Sequence, residues 1–286
     1  MGDESVSMLP LGSFVEAGWC QENPLAVISF GAILGFMKHI VQSVLNKFGY
    51  RIVRIDMCAD TGHAQGLDPF FTLLKQCNFA PRHIIDVGAN KGIWTRVAIK
   101  HFPAAQYTLL EPQDHLKEHI QDLIDRGFRL NWINAGAGDK PGRLPFHVLQ
   151  RDDSSTFILP ESGTSTSGQK TVTVPVVTLN EIVALSKTPF PEMVKIDAEG
   201  FDLKVLSGAS DLFGKTDFFL VEAVIRENAR FENSISEVIA RMACAGYGPV
   251  DITNVNRSPK HGIAWLCELA FLRNGSPLLD GVTSYE

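Results

Sequence analysis

Three acidic residues, Asp197, Glu199 and Glu222, follow short apolar segments that have the composition of buried strands. In an open α/β sheet the carboxyl ends of neighbouring parallel strands border one ligand crevice, so we expect these carboxylates to meet there. A carboxylate in that place can accept the proton of an alcohol, and three of them can hold Mg²⁺ through oxygen atoms and water. The alternative is structural: the acids would bond nearby backbone amides, and Glu199 would complement the helix that begins near Gly200.

A glycine-containing turn precedes these acids in the chain. It follows a run of β-forming residues and leads into a segment with an apolar helical face, residues 93–102. Glycine permits positive φ and close approach of a ligand, and a helix N-terminus presents backbone N–H groups, so we expect a polar ligand tail here. The turn lacks the G-x-x-x-x-G-K-[ST] and G-x-G-x-x-G patterns, which argues against phosphate cradling. The residues predicted to contact the ligand are Asp86, Gly88, Ala89, Asn90 and Gly92.

Glu111 and Pro112 end the next predicted strand, nineteen residues beyond Gly92. In such sheets an acid at the end of the second strand, about 20 residues after the glycine turn, accepts hydrogen bonds from ribose hydroxyls. Glu111 and the glycine turn together therefore predict a nucleoside ligand. Without the turn, Glu111 would be interpreted as a surface carboxylate before a proline turn.

The elements that would position these residues alternate between strands and helices. The predicted strands are 83–87, 106–110, 129–134, 193–197, 217–222, 248–253 and 263–272, and the predicted helices are 92–101, 113–126, 179–186, 200–208 and 234–245. Before this core the pattern predicts helices at 24–48 and 68–77 and a short strand at 51–55. The result is an α/β core with a helical N-terminal region.

Two further strands, 144–149 and 171–177, are predicted to form an inserted β-hairpin. A loop rich in Ser, Thr and Gly, residues 152–169, joins them. Long polar loops inside compact domains often carry function, so Ser154 and Ser155 are candidates for contact with an acceptor substrate. A hairpin tip with no role in binding is an equally good interpretation.

These motifs resemble those of FkbM-type S-adenosylmethionine-dependent methyltransferases over roughly residues 80–275. The segments that carry the resemblance are Asp86–Gly92, Leu110–Pro112, Asn134–Asp139, Thr178–Glu181, Lys195–Gly200 and Leu203–Ala209. The resemblance implies a class I methyltransferase fold: a Rossmann-like, doubly wound, seven-stranded, mostly parallel sheet with one antiparallel edge strand. It also places Ala137 and Asp139 beside the methyl donor, with Asp139 at the position expected to contact the adenine amino group. Its usual reaction is O-methylation of a sugar or polyketide hydroxyl.

The resulting hypothesis is an O-methyltransferase that acts on a hydroxyl of a small molecule or a saccharide. Its candidate catalytic residues are Asp197, Glu199 and Glu222, with Asp197 also expected to contact the donor, and either a side-chain base or Mg²⁺ at these three acids would activate the acceptor. His63 and His261 lie in polar, loop-like contexts and are further candidates for the acceptor site, with solvated side chains as the alternative. Two other classes stay open: a non-catalytic binding or scaffold protein, and a nicotinamide-dependent sugar dehydrogenase or epimerase.

Composition limits the function further. The 286 residues, 45% of them hydrophobic, suffice for one large α/β core plus an accessory segment. The net charge of −6 and the lack of an extended Lys/Arg cluster argue against a duplex nucleic acid partner. The five cysteines lack a C-x-x-C pair, so we expect reduced, buried thiols. The expected organisation is a helical accessory region at 1–80, the methyltransferase domain at 81–275 and a tail at 276–286.

The N-terminal sequence bears on location and assembly. Asp3 and Glu4 stand where a signal peptide would carry a basic region, so no cleavable signal is predicted and a cytoplasmic location is expected. The apolar stretch 25–37 is too short to cross a membrane. The predicted helix 24–48 is expected to cover the sheet or to form a homo-oligomer face, with membrane contact or a substrate lid as alternatives.

Overall fold

The computed structural model of the protein describes residues 66–149, 155–158, 170–225, 232–258 and 260–282. All of them belong to one compact unit, Asp60–Glu286. The predicted helix 24–48 and strand 51–55 lie outside the described residues, as do His63 and Ser154. In the parts of the chain that are described, no helix is both long enough and apolar enough to cross a bilayer.

Strands and helices alternate along most of this unit. The strands are β1 (His83–Val87), β2 (Gln106–Leu110), β3 (Arg129–Ile133), β4 (Gly136–Ala137), β5 (Gly142–Val148), β6 (Lys170–Val177), β7 (Met193–Ile196), β8 (Phe218–Val224), β9 (Tyr247–Arg257) and β10 (Ala264–Arg273). The α-helices are α1 (Leu67–Gln76), α2 (Ile93–His101), α3 (Gln121–Asp125), α4 (Leu179–Leu185), α5 (Asp202–Ser207) and α6 (Ile235–Cys244). Short 3₁₀ helices occupy Asp114–Ile120, Ser210–Leu212 and Pro277–Leu279.

Seven strands form one sheet in the order β3-β2-β1-β7-β8-β10-β9. This order confirms the predicted doubly wound, mostly parallel sheet of class I methyltransferases. β10 runs antiparallel to both of its neighbours, β8 and β9, and therefore lies one position inside the sheet. The expectation of an antiparallel edge strand is therefore wrong, because the antiparallel strand β10 lies between β8 and the edge strand β9. The strand order reverses between β1 and β7, which opens a crevice at their carboxyl ends.

The inserted hairpin is confirmed and forms a second, small sheet. β5 and β6 pair antiparallel along their length, and the two-residue strand β4 pairs parallel with β6. β4 follows β3 closely, so the small sheet grows directly from the carboxyl edge of the large one.

Helices cover both faces of the large sheet, which explains why its inner strands are nearly continuous apolar runs. One face packs against α1 and α2 through Leu67, Phe71, Val97, Ile84, Tyr107 and Leu220. The other face packs against α4, α5 and α6 through Leu179, Leu206, Val238, Ile85, Val194 and Val221. Because α1 is part of the first cluster, the described end of the predicted N-terminal region packs with the sheet.

Two helices and the cysteines can be compared in detail with the sequence prediction. The predicted helix 113–126 is divided into a 3₁₀ helix, Asp114–Ile120, and the α-helix α3. Helix α4 begins at a capping box in which Thr178 and Glu181 bond each other's backbone amides. The cysteines at 77, 244 and 267 are unpaired as expected, but only Cys267 is buried and Cys244 is exposed.

Candidate functional site

The glycine turn after β1 has a backbone that few residues can adopt. Gly88, Asn90 and Gly92 have φ values of 72°, 47° and 73°. Asparagine tolerates this left-handed region better than most residues, so the turn keeps its shape at position 90. A Cβ at Gly88 would collide with the carbonyl oxygen of Asp197, and a Cβ at Gly92 would lie 2.6 Å from the side chain of Ile120.

Backbone hydrogen bonds join this turn to the ends of two neighbouring strands. The amides of Gly88 and Ala89 donate to the carbonyl of Leu110 at 3.0 and 3.1 Å, and the amide of Asp197 donates to the carbonyl of Val87 at 3.2 Å. The turn, the end of β2 and the end of β7 therefore meet at one place, as the sequence predicts.

Glu111 lies directly beside the turn and is almost completely buried, with 3% of its surface exposed. One carboxylate oxygen accepts from the amide of Asn90 at 3.0 Å and the other from the amide of Gln113 at 2.9 Å. Burial raises the pKa of Glu111 to about 7, although these two amides favour its charged form. The following Pro112 is fixed through its carbonyl, which accepts a hydrogen bond from Asn134.

A buried lysine links the first and fourth parallel strands. The ammonium group of Lys195 lies 3.2 Å from Asp86 and 3.3 Å from Asp197, and it donates to the carbonyl of Gly88 at 2.9 Å. Asp86 also accepts a hydrogen bond from the hydroxyl of Thr95. Burial alone would lower the pKa of Lys195, but the charges of Asp197 and Asp86 outweigh burial and raise it. Asp86 is fully buried behind the turn, whereas the side chain of Asp197 keeps 28% of its surface exposed.

The loop after β7 carries two of the predicted catalytic acids. Glu199 and Gly200 have φ values of 52° and 91°, so the loop turns through two successive left-handed residues. The carboxylate of Asp202 accepts hydrogen bonds from the amides of Ala198 and Gly200 at 2.9 and 3.1 Å. The carbonyl of Glu199 accepts a hydrogen bond from the hydroxyl of Thr156 at 2.9 Å.

Glu222 lies within β8 rather than at its end, which corrects the sequence prediction. The strand continues to Val224 because its last residues still pair with β10. Glu222 is directly opposite Glu268 of β10. Burial is the main cause of the raised pKa of Glu222, and the charges of Asp197 and Glu199 add to it. Burial likewise raises the pKa of Glu268 to about 7.

These acids do not form a metal centre. Within the described ranges, no group of three or more His, Cys, Asp or Glu residues is arranged to hold a metal ion. The Mg²⁺ hypothesis for Asp197, Glu199 and Glu222 is therefore not supported. In the structure the ionic partner of Asp197 is the ammonium group of Lys195, 3.3 Å away.

Of the predicted acceptor residues, Ser155 and His261 lie within the described part of the chain. Ser155 is buried and its hydroxyl accepts from the amide of Leu149, so it organises the inserted loop. The ring of Phe157 lies 4.9 Å from Phe146 and 5.1 Å from Phe201, measured between ring centroids, and this contact seats residues 155–158 on the large sheet's carboxyl edge. His261 is exposed in the turn between β9 and β10.

Ala137 and Asp139 lie at the start of the small sheet. Ala137 is buried in β4, and Asp139 is exposed two residues later. The third strand of the large sheet ends at Ile133, one residue before its predicted end, and Asp139 lies beyond it. Gly138 packs against Gly208, where a Cβ would collide with the Gly138 carbonyl oxygen.

Sequence reasoning assigned no role to four residues that hold the site together: Lys195, Asp202, Asn233 and Glu268. Lys195 and Glu268 are charged residues inside otherwise apolar strands, and a charged residue in such a strand indicates a buried charge that needs a partner. Asp202 lies just after the motif Lys195–Gly200, and nothing else in the sequence marks it. Nothing in the sequence marks Asn233 either.

Comparison with known proteins agrees with this geometry. A family model described as "Methyltransferase FkbM domain" matches residues 86–249. No match is found among curated proteins.

Two solved structures illustrate the similarity. The 1,6-didemethyltoxoflavin-N1-methyltransferase of Burkholderia thailandensis is 12% identical, with 87% of this chain and 94% of that chain covered and a TM-score of 0.43. The magnesium protoporphyrin IX methyltransferase of Synechocystis PCC 6803 is 11% identical, with 86% and 100% covered and a TM-score of 0.44. Similarity at this level gives no information about the substrate of this chain.

Proposed function

Because the chain belongs to the FkbM methyltransferase family, we propose that it transfers a methyl group from S-adenosylmethionine to a hydroxyl of a small molecule or a saccharide. The donor would lie across the carboxyl ends of β1 and β2, and the acceptor would lie beside Asp197. A side-chain base, rather than a metal ion, would activate the hydroxyl.

The turn and Glu111 support the donor site. The turn leads to the N-terminus of α2, whose dipole favours the carboxylate of the donor's methionine part. The carboxylate of Glu111 accepts the backbone amides of Asn90 and Gln113 and a hydrogen bond from the Gln113 side chain, and its remaining lone pair would accept a ribose hydroxyl. The buried Asp86 would not touch the donor: it bonds Lys195, which in turn donates to the carbonyl of Gly88 in the turn. Pro112, Ala137 and Asp139 would border the adenosine.

Asp197 is the acid best placed to receive the acceptor's proton. In the reaction the hydroxyl oxygen forms a bond to the methyl carbon while the sulfur–carbon bond breaks, and neutral S-adenosylhomocysteine leaves. The hydroxyl proton passes to the carboxylate of Asp197, which is partly exposed at the crevice, and the ammonium group 3.3 Å away stabilises its negative charge. Glu199 and Glu222 would contribute to the electrostatic potential at Asp197.

One observation supports this function most strongly. On one side, Gly88 packs against the carbonyl of Asp197. On the other side, its amide donates to the carbonyl of Leu110, the residue before Glu111. The proposed donor contacts and the proposed base thus lie around a single glycine.

The test begins with calorimetry of the full chain with S-adenosylhomocysteine and with NAD. We expect binding of S-adenosylhomocysteine only, and Glu111→Ala to weaken it about 10-fold or more, since it removes a charge-assisted contact. Glu192→Ala is the matched control, because Glu192 also holds two backbone amides, at the opposite edge of the sheet. Binding of NAD in place of S-adenosylhomocysteine would refute the donor assignment.

Methyl transfer is then measured with S-adenosylmethionine labelled in its methyl group and a panel of free sugars, alkyl glycosides and phenols. We expect label in at least one hydroxyl compound. Tight binding of S-adenosylhomocysteine with no transfer to any of the panel would favour the non-catalytic alternative. The roles of Ser154, Ser155, His63 and His261, the domain boundaries, a homo-oligomer and the cytoplasmic location stay predictions.

A further inference from the structure

Asp202 and Asn233 form a buried carboxylate–carboxamide pair that the proposed reaction does not use. Both side chains are completely buried, and the amide nitrogen of Asn233 donates to Asp202 at 2.8 Å. Buried polar groups are retained where they fix one arrangement of their surroundings, so the neighbours of this pair indicate its role.

Asp202 fixes the loop that carries Asp197 and Glu199. Its two carboxylate oxygens accept the amides of Ala198 and Gly200, on either side of Glu199. The left-handed backbone of Glu199 is unfavourable for a residue with a Cβ, and these hydrogen bonds offset that cost. The loop conformation therefore depends on a carboxylate at position 202.

Asn233 extends this contact to the strand that carries Glu222. Its side-chain nitrogen also lies 3.4 Å from the carbonyl oxygen of Glu222, and the backbone carbonyl of Asn233 accepts from the amide of Val224 at 2.9 Å. One side chain thus bonds both the Asp202 carboxylate and the backbone of β8.

We propose that Asp202 and Asn233 are positioning residues that hold the segments bearing Asp197, Glu199 and Glu222 in the arrangement required for methyl transfer. They touch neither donor nor acceptor and act through the loop and the strand. This inference rests on the proposed function, because it takes these three acids as the catalytic group.

The first experiment is amide hydrogen exchange on the full chain. In Asp202→Asn the new amide group presents a donor to the amide of Gly200 and to Asn233, so we expect residues 197–201 to exchange about 10-fold faster or more. The effect should be confined to this loop and to the start of α5. Glu192→Gln, the same chemical change at the other end of β7, should leave exchange of 197–201 unchanged.

The second experiment separates positioning from general stability by kinetics. With the panel compound that the wild type labels fastest, Asp202→Asn should lower kcat about 10- to 100-fold, the equivalent of one lost hydrogen bond to a charged group. KM for S-adenosylmethionine should change less than about 3-fold, because the turn after β1 and Glu111 after β2 would supply most of the donor contacts. A fold-stabilising residue would instead lower the thermal midpoint without this split.

Rescue provides the sharpest test. Asn233→Asp alone places two carboxylates against each other and should impair the enzyme as Asp202→Asn does. In the double variant Asp202→Asn/Asn233→Asp the contact is restored with its polarity reversed, so kcat should recover above both single variants, although the amide of Gly200 still lacks its acceptor. Should Asp202→Asn fail to fold, Asn233→Ala carries the same exchange and kinetic tests.

Two outcomes would overturn the inference: wild-type exchange and kcat in Asp202→Asn, or faster exchange throughout the sheet with KM and thermal midpoint altered together. Failure of the proposed function would look different. The wild-type protein would then bind no S-adenosylhomocysteine or label nothing in the panel, while the exchange measurements would still decide whether the pair holds the loop.

Discussion

Both ends of the large sheet carry charged side chains, but the balance between acids and cations differs. At the amino end, Glu192 precedes β7 and accepts the amides of Arg82 and His83 together with the Arg82 guanidinium. Asp217, before β8, pairs with Arg273 at 3.1 Å. Each of these two acids faces its own arginine.

At the carboxyl end the acids outnumber the cations. Among the described residues, Lys195 is the basic residue that lies within the group formed by Asp86, Glu111, Asp197, Asp202, Glu222 and Glu268. The pKa values of several of these acids are raised by burial, which makes their charged forms costly. Acids that outnumber their cations and have shifted pKa values are typical of functional sites. Acids that are each paired with an arginine, as at the amino end, are typical of structural sites.

The largest predicted effect tests whether the carboxyl end performs chemistry. Asp197→Asn removes the proposed proton acceptor while keeping the size of the side chain, so methyl transfer to the panel acceptor should fall about 10²- to 10⁴-fold. Calorimetry should show S-adenosylhomocysteine binding close to that of the wild type. Activity above a tenth of the wild-type rate would remove Asp197 from the mechanism.

Lys195→Met tests the single cation at the same end. It leaves Asp86 and Asp197 without their counter-ion in a buried place, so we expect a loss of about 3–5 kcal/mol in the free energy of unfolding by urea. The companion variant Arg82→Met at the amino end removes an exposed partner and should cost less than about 1 kcal/mol. Equal losses from the two variants would contradict the contrast between the ends.

Glu192→Ala tests the structural assignment of the amino end. The variant leaves the amides of Arg82 and His83 without their acceptor, so the free energy of unfolding should fall by about 1–3 kcal/mol. The rate of methyl transfer per folded molecule should stay that of the wild type. A selective fall in kcat would mean that the amino end also contributes to the reaction.

The smallest effect concerns pH and follows from Glu268. Its folded pKa of about 7 exceeds the ordinary value of 4.5, so the folded protein holds a proton that the unfolded chain has lost. This contribution to stability is therefore complete below about pH 4.5, falls as the pH rises towards 7 and stays lost above that. His83 at the amino end acts in the opposite direction, because burial lowers its pKa and its protonation on unfolding costs stability below about pH 6.5.

Glu268→Gln should consequently reduce the decline of the thermal midpoint between pH 5 and pH 8. The remaining decline comes from Glu111, Asp202 and Glu222, whose pKa values are raised in the same way. Glutamine can still accept the hydroxyl of Thr253, so the contact itself is kept. Thermal unfolding at several pH values measures this, and curves of identical slope for variant and wild type would contradict the prediction.

Much of the fold was predictable because local patterns and tertiary structure agree. The run Ile84–Val87 is apolar except for Asp86, stops at a glycine, and forms a central strand as expected. The inserted hairpin was predictable for the same reason. The place of β10 between β9 and β8 was not predictable, since alternation along a strand carries no information about which further neighbour it joins.

In the site, local patterns are enough to locate the residues at the carboxyl ends of the strands. Gly88, Glu111 and Asp197 each come directly after an apolar run in the chain. The balance of charge around them depends on contacts that form only in the folded protein. Lys195, Asp202, Asn233 and Glu268 come from separate elements and meet only after the sheet has formed. The physical reason is that the ionisation of an acid depends on burial and on neighbours within a few ångströms, and neither is encoded in local spacing.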